Sequence, residues 1–521
     1  MKKIAVCLFA MASLVASAAC EKVATAEIAD VNTLVAAVAK VGQMTGNSML
    51  GFMMSSAVTE SEVLKFFGPM RENSTVTVPL YVDADALGTN VLESLDKAVS
   101  VAVVYPTALT KAEFLRDHSE AVETNGVIRL VRGDDDDDED ADDDEDGEKT
   151  TCADGDDVFY AAFDKSGRNL VFAQTEAMLR RVLADDAAAG RPMAGDLLRV
   201  TVAEKGIGVA SNVVATAMRS VDAKEKADLE LAQKLLAMVR DCAGAIRLTD
   251  AGLEYAQTIN VVAGSELDRV GKKPVSPKPF AAAGRAAIAG VAAAADSGSE
   301  VRNFEVLRRQ FAAAGLAFDG YLSCAETNGL GRLVIDLEAA VRYFTSDAFD
   351  TAKIDTDKLA AIFDQGDKST VIPLTNAAAT TVLEIKGHAP AFALQDRLEA
   401  TLPEAAGRKP VQVGFLSLSS LLRAAAPAVI KELSKSDQSA VKMLLSSLPA
   451  EGRGGVAWCS WRENSAWKGL LRISAEEIQG VSTIFSAVTA YMVSSAMKNA
   501  GEKLGDADDD DDDDDDADDK H

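Results

Sequence analysis

The sequence predicts an α+β protein: two related domains with largely antiparallel sheets packed by helices, plus two acidic segments held outside the folded bodies. Three observations carry this. Hydrophobic residues make up 48% and charged residues 26% of the 521, which is enough for a real core. Short apolar or alternating runs bounded by turn residues are interleaved with amphipathic stretches, without regular βαβ alternation. The pattern of the first half also recurs, in the same order, in the second.

The N-terminus reads as an export signal over 1–19. Lys2 and Lys3 form the positive region, and Ile4 to Ala16 is apolar but too short to span a bilayer. Ala16-Ser17-Ala18-Ala19-Cys20 then resembles a bacterial lipoprotein signal, with Cys20 as the lipid-modified residue. It departs from that pattern at Ser17, where an aliphatic residue is usual. Cleavage after Ala18 by an ordinary signal peptidase is the alternative. Two acyl chains at Cys20 would anchor the protein stably, at about 0.8 kcal/mol per buried methylene. The localisation expected is the bacterial cell envelope, lipid-anchored or periplasmic.

The first domain is expected over 20–270. Residues 31–57 read as a helix with Met and Leu on one face. Thr75 to Asp83 alternates like a strand, with Pro79 pointing to an edge or a bulge. Val99–Tyr105 is a buried strand ended by Pro106, and Thr110–Val122 a helix. Gly126–Arg132 is a strand, and Asp157–Phe163 with Asn169–Ala173 forms a hairpin around Asp164-Lys165-Ser166-Gly167. A helix follows over 175–187.

The acidic loop 134–156 falls between two of these strands. Thirteen acids lie between Asp134 and Glu148, and twelve more between Asp506 and Asp519 in the tail 504–521. The other 56 acids face 53 Lys and Arg, so the folded body is nearly neutral and the charge of −28 belongs to the two appendages. Both read as disordered. No basic patch exists, which argues against a nucleic-acid partner. Asp142, Asp144, Asp146 and Gly147 match the first, third, fifth and sixth positions of an EF-hand loop. Ala153 stands where the bidentate carboxylate belongs. These three aspartates are weak metal candidates, and at most diffuse, salt-sensitive calcium binding is expected, with no dedicated cofactor.

Residues 271–279 (GKKPVSPKP) read as a linker, and 280–503 as the second domain. Asp157–Val182 aligns with Asp319–Phe344 at an offset of 162, although Phe392–Leu402 competes as the match for the helix after Phe172. Leu197–Val202 aligns with Val413–Leu418, and Val262–Leu267 with Ile473–Ile478. Residues 476–503 form a long helical pattern whose apolar stripe is Ile484, Phe485, Val488, Tyr491 and Met492. Docking on its own sheet is expected, with a dimer contact as the alternative.

The run VSVAVVY, EFLRDH, GVIRLV and VFYAAFDKSGRNLVFAQTEAMLRRVL resembles exported, often lipid-anchored, duplicated bacterial proteins of unassigned function. The resemblance covers much of both halves and implies no catalytic residue.

Catalytic motifs are missing. His118, His388 and His521 are the only histidines; His118 reads as a surface or capping residue, and His388, in a loop, is the better-placed candidate. Neither G-x-S-x-G, a phosphate loop nor H-E-x-x-H occurs. Ser439 with Lys442 and Ser495 with Lys498 satisfy S-x-x-K without its companion motifs, which reads as helix surface. Outside the signal the cysteines are Cys152, Cys242, Cys324 and Cys459; three pairings are open, with Cys324 and Cys459 read as core residues. Trp458 and Trp461 point to opposite faces of one strand beside Trp467, so packing is favoured over an aromatic platform for a sugar. The expected function is an exported, membrane-tethered, non-enzymatic binding or envelope-structural protein, with a possible envelope partner. The alternatives are cation or mineral-surface binding through the aspartates, and a hydrolase built from carboxylates dispersed in sequence.

Overall fold

The computed structural model describes residues 21–46, 66–83, 98–131, 158–185, 195–219, 223–269, 287–293, 308–318, 320–327, 330–346, 349–360, 379–432 and 451–484, with isolated positions at 52, 55–56, 193, 275, 280–281, 283, 285, 306 and 486. The signal with Cys20, the acidic loop with Asp142, Asp144, Asp146 and Cys152, the linker save Val275, most of 476–503 and the tail lie outside them.

The described residues form an α+β fold around one large sheet. The first half supplies β1 (Glu21–Ala29), α1 (Val31–Met44), β2 (Thr75–Val82), β3 (Val99–Tyr105), α2 (Lys111–Asp117), β4 (Val122–Thr124), β5 (Val127–Val131), β6 (Val158–Phe163), β7 (Leu170–Ala173), α3 (Glu176–Ala184), β8 (Asp196–Val202), α4 (Glu204–Ala217), α5 (Ala223–Met238), β9 (Val239–Thr249), β10 (Gly252–Val261) and α6 (Glu266–Arg269). The second half supplies β11 (Ala287–Ala293), β12 (Leu322–Thr327), β13 (Leu330–Ile335), α7 (Leu337–Phe344), β14 (Ala379–Ile385), α8 (Leu394–Thr401), α9 (Glu404–Gly407), β15 (Pro410–Leu416), α10 (Leu418–Glu432), β16 (Val456–Glu463) and β17 (Ala466–Ser474).

Strand pairing runs β4-β5-β6-β7-β3-β2-β1-β8-β9-β10-β17-β16-β15-β11-β14-β13-β12. Every pair is antiparallel except β13–β14. Val131 opposes Val158, so the acidic loop interrupts a directly paired hairpin. Pro79 departs from its expected place at an edge or bulge. β2 is an interior strand, and Pro79 sits where pairing to β3 lapses between Thr77–Val104 and Leu80–Val101. Its missing N–H costs little in such a gap. Helix α2 is shorter than expected: His118 caps it, and Val122 belongs to β4.

Directly opposed residues in an antiparallel pair share a face, so the registers sort the sheet. One face carries Leu80, Ala24, Val200, Tyr255, Leu471 and Trp458; α4 packs Val209 and Val213 against Ala24 and Leu80 there. The other face carries Tyr81, Ala102 and Val104 under α3, and Val413, Phe415 and Cys459 under α8. Met178, Leu179 and Val182 of α3 are buried, each worth roughly 1.5–3 kcal/mol.

The two halves meet at β10 and β17. Gly252 opposes Ser474 with φ +137°, and a Cβ there would lie 1.9 Å from the Ile473 carbonyl oxygen, so only glycine lets the β9–β10 turn meet β17.

The registers of the halves correspond. Val200–Gly244 becomes Gly414–Trp458 and Ile246–Tyr255 becomes Ser460–Gly469, every residue moved by 214. The register shift between Asp196 and Leu198 recurs between Pro410 and Gln412. The shift between Lys22 and Ala24 in β1 recurs between Ala287 and Ala289 in β11. The expected alignments thus need correction. Leu197 corresponds to Val411, and the hairpin of the first half ends at Val261 rather than within Val262–Leu267. The units matched at offset 162 join the sheet differently, β7 antiparallel to β3 but β13 parallel to β14.

Candidate functional site

His118 is the C-cap of α2; its Nδ1 lies 3.0 Å from the Phe114 carbonyl and its ring stacks on Phe114 at 4.2 Å. The three tryptophans do not make one platform. Trp461 is buried in the core under Arg408, Trp458 lies across Gly414 on the opposite face, and Trp467 donates to the Leu267 carbonyl. Cys242, Cys324 and Cys459 form no disulfide among themselves. Burial pushes the Cys459 thiol up to about 11, which keeps it protonated and unreactive. Cys324 lies on the strand β12 and is only half-buried.

His388 stands near a buried polar cluster that sequence reasoning missed, because its members are spread from 388 to 477. Arg397 of α8 donates to the Ser420 hydroxyl at 2.8 Å. Ser420 donates in turn to Glu451, which also accepts the Ala391 amide. Glu477 accepts from the amides of Leu418 and Ser419 at the start of α10 and from the Ser419 hydroxyl at 2.6 Å. Burial alone would raise the Glu451 carboxyl; the Ser420 and Ala391 bonds and the Arg397 charge outweigh it and hold the group below its ordinary range. Burial lowers His388, and the nearby Glu451 only partly offsets it. A catalytic acid needs the opposite tuning, a carboxyl raised by its surroundings. The cluster braces α8 against α10, with Glu477 capping the start of α10 and Glu451 accepting at the loop of Ala391.

An open cleft of about 550 Å³ lies elsewhere, at the turn end of the β6–β7 hairpin. Its construction begins with the turn D-K-S-G-R-N. The Asp164 carboxylate accepts from the Ser166 hydroxyl, the Arg168 and Asn169 amides and the Asn169 side chain, and Gly167 takes φ +67° to close the loop. Burial opposes ionisation of Asp164, but these bonds prevail and hold it below the usual range. Asn169, itself buried, then presents its carbonyl to Arg71 Nη2 at 2.9 Å. Arg71 reaches this place because its amide bonds the Pro106 carbonyl and Met70 bridges Thr107. Lys111, at the start of α2, closes the third side.

Arg71, Lys111 and Arg168 line the cleft with Leu109, Phe163 and Thr107. Lys111 pairs with Glu123. Arg168 has no acidic partner among the described residues, and Arg71 Nε is buried without a hydrogen-bond acceptor. Among the described residues the lining holds cations, the Thr107 and Thr110 hydroxyls and apolar surface, with no His, Cys, Asp or Glu. Such a surface can hold an anion; the Thr107 and Thr110 hydroxyls in it donate to the Phe67 carbonyl and to Glu113, and the Lys111 amine pairs with Glu123. Among the described residues no three His, Cys, Asp or Glu side chains are grouped to hold a metal ion. The chain matches no protein-family model, and no curated protein or solved structure matches it.

Proposed function

We propose that this is an exported protein, tethered to the bacterial membrane through Cys20, that binds a ligand without transforming it. One observation carries the binding reading: Arg71, Lys111 and Arg168 converge on one cleft, while the Thr107, Thr110 and Lys111 groups that could attack a ligand are already bonded within the protein. Its volume falls within the range of small-molecule sites, about 300–1,000 Å³. The recurring registers support a second element, that the body is two related five-stranded units, β2-β1-β8-β9-β10 and β14-β11-β15-β16-β17, with strands added outside each. The strings of aspartate are read as solvating segments, since Asp142, Asp144 and Asp146 lack the closing carboxylate of a calcium loop.

Two measurements test this. In cell fractionation the native protein should travel with membranes, while Cys20→Ala should leave it soluble in the periplasm; equal distribution removes the tether. Native mass spectrometry of protein purified from its own envelope should show a non-covalent adduct that high salt releases. The same adduct on a variant carrying Arg71→Gln and Arg168→Gln would move the ligand away from the cleft.

A further inference from the structure

Resting on that reading, we infer that the cleft takes an organic monoanion, a carboxylate head joined to an apolar body. The head is set by the cations. Arg71 is pinned by Asn169 through one nitrogen, which leaves its buried Nε–H with nothing to donate to. A buried donor without an acceptor costs free energy that a bound carboxylate would recover. Arg168 stands at the rim with no acid to neutralise it among the described residues, so head and guanidinium would form charge-assisted bonds.

The limit of one charge is set by the neighbours. Glu113 accepts from the Thr110 amide and hydroxyl, and Thr110 lines the cleft. Those bonds hold Glu113 below its ordinary range, so it is ionised. Asp164 accepts the Arg168 backbone amide, and Glu123 already pairs with Lys111. These three carboxylates stand behind the lining residues they contact and offset much of the cleft's positive charge, which leaves little of it for a second negative charge on the ligand. That disfavours phosphate, dicarboxylates and the aspartate runs of this chain as occupants.

The apolar body is set by the wall. Leu109 and Phe163 line the cleft, and Phe163 adjoins the cluster of Phe114, Leu130 and Phe172. A ligand that brought only charge would leave this surface wet, whereas an acyl or aromatic body would bury it at about 25 cal/mol per Å².

Isothermal titration of the mature protein compares three probes: octanoate, succinate and inorganic phosphate. Octanoate should bind at least roughly tenfold more tightly than either of the others, and Arg168→Gln should weaken it by about tenfold. Arg168 is exposed, so that variant keeps the fold, which circular dichroism checks; Asn169→Ala, which releases Arg71, should weaken octanoate as well. Succinate or phosphate binding as tightly as octanoate, and still lost in Arg168→Gln, would overturn the monoanion class while leaving an anion site in place. Octanoate heats unchanged in both variants would overturn the site itself.

Discussion

Arg472→Ala is expected to destabilise the protein by about 3–5 kcal/mol, read as a lower urea midpoint for the transition that reports on the β10–β17 junction. Arg472 is only 6% exposed on β17. Its Nε donates to Glu254 of β10 at 3.0 Å, Nη1 to the Thr401 carbonyl at 2.9 Å, and Nη2 to Glu404 at 2.7 Å. One guanidinium thus ties a strand of the first half to the end of α8 and to α9. Removing it strands Glu254, also 6% exposed, as a buried carboxylate without its cation. The double change Glu254→Gln with Arg472→Met removes the stranded charge and should recover much of the loss. A single Arg472→Ala that leaves the midpoint in place would show that backbone pairing alone joins the halves.

The same bond gives a pH dependence. Burial alone would raise the Glu404 carboxyl, but the Arg472 hydrogen bonds and charge outweigh it and leave it below the ordinary range. A folded-state value below the unfolded one, which is about 4.3 for glutamate, adds stability above that pH. That stability disappears as pH falls through the depressed folded value. The midpoint of the native protein should therefore drop below about pH 4.3 more steeply than that of Arg472→Ala.

The second large effect is expected at Arg397, which is 1% exposed. It lies 5.0 Å from the Phe415 ring and bonds Ser420 and the Gly454 carbonyl, while its Nε and Nη1 have no hydrogen-bond partner. Glu451, Glu476 and Glu477 face it electrostatically. With Arg397→Ala three carboxylates would repel one another around an emptied site, a cost of about 3–5 kcal/mol at neutral pH. The sign of its pH dependence follows from Glu451, which is depressed in the native fold. Arg397 contributes most where Glu451 is ionised, so the difference between native and variant should shrink as pH falls through the depressed value. Arg397→Met keeps much of the contact with the Phe415 ring yet lacks the charge. Equal midpoints for Arg397→Met and the native protein would show that packing, not charge, carries the effect.

Local patterns were the legible part. Val99–Tyr105 is apolar enough to be a strand in any context, and the structure has it with those bounds. The turn D-K-S-G marked its hairpin because aspartate, serine and glycine close loops by their own chemistry. Thr110 with Glu113 is a capping box three residues apart, and it starts α2. The similar order of elements in the two halves was visible, but the 214-residue correspondence of strand registers was not. The counterparts at 214 share alternation and bulge positions rather than identical residues.

None of the three polar clusters could be found along the chain. Arg71 meets Asn169 across 98 positions, Arg397 meets Ser420 across 23, and Arg472 meets Glu254 across 218. No periodicity reports on such pairs. The sequence by itself determined the α+β composition, the strands and turns near the hairpin, and the concentration of negative charge in two runs of aspartate and glutamate. Only the tertiary structure decided which strands are neighbours and which charges meet. The reason is physical: backbone preferences and apolar alternation act over a few residues, whereas a buried ion pair exists only once distant strands have already been brought within hydrogen-bond reach.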